Sequence, residues 1–201
     1  MASPPTVERA APEEARALAQ IIGDAFAFLP VTGWLVPAEA QRAGILGEYF
    51  NIIVEHAVVH GVVETVADRS AVAVWHPAAS TPMPEIADYD QRMATVCGPN
   101  AERFGALDDV MHASHPPAPP VYDYLALLAV RPGRQGTGLG TALLRHRHQH
   151  LDRPGVPAYV EASSLGSRRL YQRHGYQDRG EPFAPPGCEA VMWPMWREPN
   201  P

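Results

Sequence analysis

The stretch Leu128–Leu144, LAVRPGRQGTGLGTALL, constrains the fold more than any other part of the chain. The apolar run from Tyr122 to Val130 reads as a buried strand, Pro132 stops it, and Gly136, Gly138 and Gly140 lead directly into a helical pattern over Gly138–Leu151. A strand that passes through a glycine-rich loop into a helix leaves backbone N–H groups bare at the positive end of the helix dipole. Such a junction is an anion cradle, most often for phosphate or pyrophosphate. Neither common nucleotide loop matches it. Gly140 is followed by Thr141-Ala142 with no lysine, so it is not a P-loop. Glu161 lies near the distance at which a dinucleotide fingerprint carries its acid, but the glycine spacing is wrong for that motif.

The elements before this junction are mainly helical. A short strand at Val7–Ala10 gives way at Pro12 to a helix with Ala15, Leu18, Ala19, Ile22, Ala25 and Phe26 on one face, ending near Pro30. A second amphipathic helix follows Pro37, burying Ile45, Leu46, Tyr49, Phe50 and Ile53. The period then shortens to two. Val62–Val66 and Ala71–Trp75 read as a hairpin turning at Ala67–Ser70. Pro77, Pro82 and Pro84 mark a loop, Asp88–Val96 and Glu102–His112 read as helices, and the run Ser114–Pro120 with its four prolines is irregular. After the glycine junction come a strand at Ala158–Ala162, a short helix at Arg168–His174, and a closing strand pair at Tyr176–Arg179 and Glu189–Met195. This is an α/β or α+β pattern around one mixed sheet, and 201 residues suit a single domain.

Composition narrows the chemistry. All 16 basic residues are arginine, so no Schiff-base lysine exists and aldolase-type and pyridoxal chemistry are excluded. A formal charge of −6 argues against nucleic acid as the main partner and suits a cationic substrate. Cys97 and Cys188 form no CxxC, which indicates neither a disulfide framework nor a thiolate metal site. The first residues lack a signal-peptide layout and no apolar stretch has the length of a membrane span, so the expectation is a cytoplasmic protein, monomeric or homodimeric.

The loop matches Gln/Arg-x-x-Gly-x-Gly at Gln135, Gly138 and Gly140, with Val130-x-Pro132 before it and Leu170-Tyr171-x-x-x-Gly175-Tyr176 after the next strand. In this order and spacing the chain resembles the GCN5-related N-acetyltransferase superfamily, and within it the group formed by puromycin N-acetyltransferase and its actinomycete relatives. The likeness runs from about Val7 to Met195. It implies a mixed sheet of six to seven strands, splayed between the Tyr122 and Ala158 strands, and acetyl-CoA as co-substrate. Backbone amides from Gln135 through Gly136, Thr137, Gly138 and Leu139 to Gly140, helped by the Thr137 and Thr141 hydroxyls and by Arg134, would hold the pyrophosphate. Leu128 and Val130 would pair with the pantetheine arm. Tyr171 stands where the family places the phenol that protonates the departing thiolate. Ser167 stands where relatives often carry Asn, which leaves one donor fewer for the cofactor.

The implied reaction is acetyl transfer from acetyl-CoA to a primary amine of a small molecule, an antibiotic or aminonucleoside among the candidates, by direct attack in a ternary complex. Glu161, mid-strand in an apolar sheet, reads either as the base or as a structural partner of an arginine. Phe26, Phe28, Trp34 and Tyr49 are candidate walls for the acceptor. Asp24, Glu85, Asp88, Asp90, Asp108 and Asp109 lie in segments that would roof it, most of them solvated and one or two available to hold an ammonium. His146, His148 and His150 read as a solvated helix end rather than a metal pair, and Cys97 as a small buried residue. Two other classes fit the same residues: a non-catalytic binder of acetyl-CoA or drug, and a protein or peptide acetyltransferase with an open groove.

Overall fold

The computed structural model describes residues 5–77, 83–115 and 121–200. Pro82 of the expected loop and residues 116–120 of the proline-rich run lie outside these. β1 (Val7–Arg9) passes through a 3-10 turn at Pro12–Glu14 into α1 (Ala15–Phe26). The Glu14 carboxylate accepts the Ala11 N–H at 2.8 Å and so caps the entry. The expected apolar stripe of α1 is the buried one, with Leu18, Ala19 and Ile22 fully enclosed. The helix ends at Phe26, but Pro30 does not merely stop it. Fixed near helical φ and needing no donor, Pro30 occupies the first position of a further helix, α2 (Pro30–Leu35), which the stripe pattern did not foretell.

The long α3 (Arg42–His60) packs along α1 at glycines. A Cβ on Gly23 would sit 2.5 Å from the Gly47 nitrogen, so the two backbones touch where they cross and no side chain fits between them. β2 (Val62–Val66) and β3 (Ala71–Pro77) form the expected antiparallel hairpin. Its turn carries Arg69 at a φ of 54°, with the Asp68 carboxylate accepting the Ser70 N–H at 3.1 Å. Then follow α4 (Tyr89–Cys97), α5 (Ala101–Ser114), β4 (Asp123–Val130), α6 (Leu139–Asp152), β5 (Ala158–Ala162), α7 (Leu165–Arg173), β6 (Gln177–Asp178) and β7 (Trp193–Arg197).

The sheet has seven strands in the order β1-β2-β3-β4-β5-β7-β6, with every neighbouring pair antiparallel except β4–β5. One face packs on α1 and α3 through Val63, Val72, Val74, Leu127 and Ala129. The other packs on α6 and α7 through Ala71, Ala73, Trp75, Leu125 and Val160. Leu125 and Leu127 thus face opposite ways although they are two apart. The cause is a bulge: Trp75 pairs with Leu125 and Val74 with Leu127, leaving Ala126 unopposed. From there on the parity of β4 reverses, and Leu128 and Val130 turn toward α6 and α7.

A second irregularity shapes the functional region. β4 pairs with β5 only at Asp123–Ala158 and Tyr124–Tyr159, and the two strands then part. The sheet is splayed where the resemblance required it. Asp123 at the fork accepts from Arg147 of α6 at 2.7 Å, with both side chains nearly buried, which ties α6 to β4 at the point of divergence.

Three segments differ from expectation. α7 starts at Leu165, three residues before Arg168, because Ser164 caps it: its hydroxyl accepts the Ser167 N–H at 3.1 Å, and the Ser167 hydroxyl in turn accepts the Ser164 N–H at 3.1 Å. The strand expected over Tyr176–Arg179 is only Gln177–Asp178, with Tyr176 buried in the core beneath it. The strand placed at Glu189–Met195 runs instead over Trp193–Arg197, while Met192 makes an isolated bridge to Phe183. Pairing with β5, from Ala158 opposite Arg197 to Ala162 opposite Trp193, sets the span of that strand.

Candidate active site

The fork between β4 and β5 opens into a cavity of about 1180 Å3. Of the residues singled out from the sequence, Leu128, Val130, Gln135, Gly140, Glu161, Ser167 and Tyr171 all line it. Arg134, Gly136, Thr137, Gly138, Leu139 and Thr141 stand beside it in the loop and first turn of α6.

That loop has the chemistry of an anion cradle. Gly136 and Gly138 adopt φ of 76° and 88°, and a Cβ at either would meet no atom within 4 Å, so their faces are open. The first bond inside α6 is Ala142 N–H to Gly138 carbonyl at 2.9 Å, which leaves the N–H groups of Leu139, Gly140 and Thr141 ahead of it without helical partners. Leu139 contributes only this backbone group, since its side chain is in the core. Gln135 staples the loop: its amide donates to the Val130 carbonyl at 3.2 Å while its oxygen accepts the Gly133 N–H at 2.8 Å. Gly140 packs against Leu170 of α7 and Leu128 and Val130 of β4, where a Cβ would make ordinary contacts at 3.5 to 3.9 Å. Arg134 pairs with Asp68 of the hairpin turn at 3.1 Å, the Thr137 hydroxyl donates to the Arg134 carbonyl at 2.6 Å, and the Thr141 hydroxyl lies 3.2 Å from His174. These residues therefore build the loop; the open donors are backbone. Ser167, besides lining the cavity, is committed to capping α7.

Tyr171 and Glu161 meet in the same cavity from α7 and β5. The Tyr171 side chain is buried, and burial first, then the Glu161 charge, raises its pKa above the ordinary phenol value. Only 2% of the Glu161 side chain is exposed. Its Oε1 lies 3.1 Å from His115 Nε2, an ion-pair contact without hydrogen-bond geometry. Among the described residues its partner is His115 and not an arginine. His115 is held by aromatic edges, with its ring 4.7 Å from Tyr124 and 4.9 Å from Tyr159, and its Nδ1 3.3 Å from the Tyr122 hydroxyl. Burial and the Glu161 charge raise the Tyr124 and Tyr159 phenols as well. His115, Tyr124 and Tyr159 are absent from the sequence reading. Period-two alternation does put Tyr159 on the Glu161 face, but nothing in the sequence brings the end of α5 to that face.

Beneath α1, α3, α4 and α5 the cavity wall is aromatic. Tyr49 packs 4.7 Å from Phe104 and 5.2 Å from Phe50, and Phe26 lies edge-on to Phe50 at 5.3 Å. Phe26 and Tyr49 are wall residues as expected; Phe28 is not, being 77% exposed, and Trp34 lies outside the cavity lining, beneath the Arg103 guanidinium. Asp108 is embedded in this wall, its two oxygens accepting the Tyr49 hydroxyl at 3.0 Å and the Tyr89 hydroxyl at 2.6 Å. Cys97 is buried nearby with its thiol pushed up to about 12 by burial and then by Asp108, which makes it inert. The histidines of α6 depart from a solvated end: His148 is 6% exposed, bonded to Tyr176 at 3.1 Å, and His146 contacts the buried Glu64 at 3.0 Å.

The acetyltransferase (GNAT) domain family matches residues 89–196, more than half of the chain, and the chain belongs to that family. Its fold is shared with a solved Corynebacterium glutamicum protein described as histone acetyltransferase HPA2 and related acetyltransferase, at a TM-score of 0.72 and 24% identity over 99% of this chain and 98% of that one. A mosquito arylalkylamine N-acetyltransferase like 5b superposes at 0.58 with 15% identity over 96% and 99%. The ribosomal-protein-S18-alanine N-acetyltransferase of Escherichia coli superposes at 0.52 with 18% identity over 98% and 94%. These likenesses are of fold. No helix among the described residues is long and apolar enough to cross a membrane.

Proposed function

We propose that this chain transfers an acetyl group from acetyl-CoA to a primary amine of a small molecule, as one N-acetyltransferase domain acting in the cytoplasm. The observation that carries the reading is the cavity joining three parts: the splayed edge of β4, Tyr171 and Glu161 on its lining, and an aromatic wall in which Asp108 is set. The acetyl-CoA fit rests on the open glycine faces at 136 and 138, the bare first-turn amides of α6 and the unpaired Leu128–Val130 edge. Acetyl-CoA supplies an activated thioester when bound. The protein supplies position and proton management. The β4 edge orients the thioester arm, and a β4 backbone N–H polarises the carbonyl. Glu161 with His115 takes the proton of the attacking amine as the C–N bond forms. Tyr171, still protonated, returns a proton to the sulfur as the C–S bond breaks.

Two structural relatives are named for protein acceptors and one for arylalkylamines, so fold alone leaves the acceptor open. The aromatic wall favours a small apolar amine, of the antibiotic or aminonucleoside kind suggested by the puromycin-group resemblance. The test is thiol release from acetyl-CoA with a panel of small primary amines beside histone-like and N-terminal peptides. Turnover of the amines and not the peptides is expected; efficient peptide turnover with an inert amine panel would sink the reading.

A further inference from the structure

Asp108 is built as a binding group without a counter-ion. Tyr49 and Tyr89 donate one hydrogen bond to each of its oxygens, and their own hydroxyls lie 3.0 Å apart, so the three groups form a closed, rigid set. Each carboxylate oxygen keeps a further lone pair. Phenols are neutral donors and do not cancel a charge. The charged neighbours that act on Asp108 are Asp90 and Asp109, which are acids too. Among the described residues Asp108 has no salt bridge, and no arginine lines the cavity. Three imidazoles do line it: His115 sits against Glu161, His76 has its pKa held down to about 4 by burial and then by His56 and His115, and His112 lies one turn beyond Asp108 on α5. A purely structural acceptor for two phenols needs no charge; a carboxylate in that place costs desolvation until a cation reaches it.

A second, independent feature faces the same cavity. Glu161 is almost wholly buried, and its Oε1, 3.1 Å from His115 Nε2, lacks a well-formed hydrogen bond. Among the described residues five carboxylates line the cavity; Glu85, Asp88 and Asp90 are exposed at its rim, while Glu161 on β5 and Asp108 on α5 are set into its apolar and aromatic wall. Glu161 lies beside Tyr171, where a reacting amine would be handled. Asp108 lies in the wall beneath α3 and α4.

We propose that Asp108, oriented by Tyr49 and Tyr89, is the anchor for a second cationic group of the acceptor, so that the substrates are diamines: one amine is acetylated near Glu161 and Tyr171 while the other, as an ammonium, rests on Asp108. This rests on the small-amine reading above. Tyr49 and Phe104, whose rings pack 4.7 Å apart, line the same cavity, and aromatic rings suit an ammonium on an apolar body.

The test uses the full chain with acetyl-CoA and a ladder of α,ω-diamines of increasing chain length, each beside the amino alcohol of matching length, which keeps one amine and replaces the second with a neutral hydroxyl. At the best-fitting length kcat/KM is expected to favour the diamine by about 10-fold to 100-fold, the scale of a charged hydrogen bond. Asp108→Asn should collapse that ratio toward one, mainly through KM for the diamine. Thermal stabilisation by the same diamine, measured without turnover, should fall in parallel. Tyr89→Phe, which keeps the charge but removes one orienting bond, should lower the ratio partially and serves if the Asn variant fails to fold. Equal turnover of diamines and amino alcohols by the unaltered protein would overturn the proposal while leaving the small-amine reading intact. No turnover of any amine, with acetyl-CoA still stabilising the fold, would remove both.

Discussion

A phenol can protonate a leaving thiolate only if it still holds its proton at working pH. Tyr171 does, because burial raises its pKa and the Glu161 carboxylate, charged nearby, raises it further. Replacing Tyr171 by Phe should leave acetyl-CoA affinity nearly intact and lower kcat by about 10²-fold or more, as a thiol-release assay would show. Unchanged turnover would assign the side chain to packing against Tyr176, whose ring is 5.6 Å away. Glu161 calls for a different readout. Glu161→Gln keeps the size of a side chain that is only 2% exposed but cannot take a proton, so kcat/KM at neutral pH should drop and its acidic limb should disappear. A structural role would instead appear as a lowered Tm with the pH profile unmoved. The residue-level pattern of Tyr171 and of the loop glycines was legible because motif spacing is a local property. His115 was not, because its 3.1 Å approach to Glu161 is made across 46 positions of chain by the packing of α5 on the sheet.

At the scale of elements, the start of α6 carries the clearest consequence of backbone geometry. Gly138 is the N-cap and stands at a φ of 88°, with open space where a Cβ would project. A β-branched residue there is strained and puts its bulk in front of the bare amides of the first turn. Gly138→Val should therefore abolish the rise in Tm produced by acetyl-CoA while far-UV circular dichroism shows the fold retained. A folded variant that keeps full affinity would show that the cradle is elsewhere. The hairpin, α1, α3 and the β4–loop–α6 unit were readable because apolar period and turn residues agree within each. The early start of α7 and the shift of β7 were not. The first depends on a reciprocal cap between Ser164 and Ser167, and the second on which residues of the last segment meet β5 across the sheet.

For the whole molecule, buried neutral histidines tie stability to pH. His148 is held down to about 3 by burial, then by Arg197 and His174, and His76 to about 4, each from 6.5. Because the folded pKa lies below the unfolded one, the unfolded chain binds protons that the folded chain refuses. Stability is therefore full above 6.5 and is lost as pH falls through the window toward 4, by about 1.4 kcal/mol per pH unit for each histidine. Asp108 and Asp123, raised by burial, act in the opposite sense. Urea midpoints taken between pH 7 and pH 5 should fall, and His148→Gln should flatten part of that slope. A midpoint that stays level across this range would show that neither imidazole is held neutral. By itself the sequence determined the class of fold and the strand, glycine loop and helix that carry the bare amides, since these follow from period and turn chemistry over a few residues. The tertiary structure alone decided that the bulge at Ala126 reverses the faces of β4, that β4 and β5 part after Tyr124, and that Asp108 meets two phenols in the wall of the cavity that Glu161 also lines. Those are outcomes of packing between distant segments, where burial of one face and the pairing of buried polar groups select one arrangement from many that the local pattern permits.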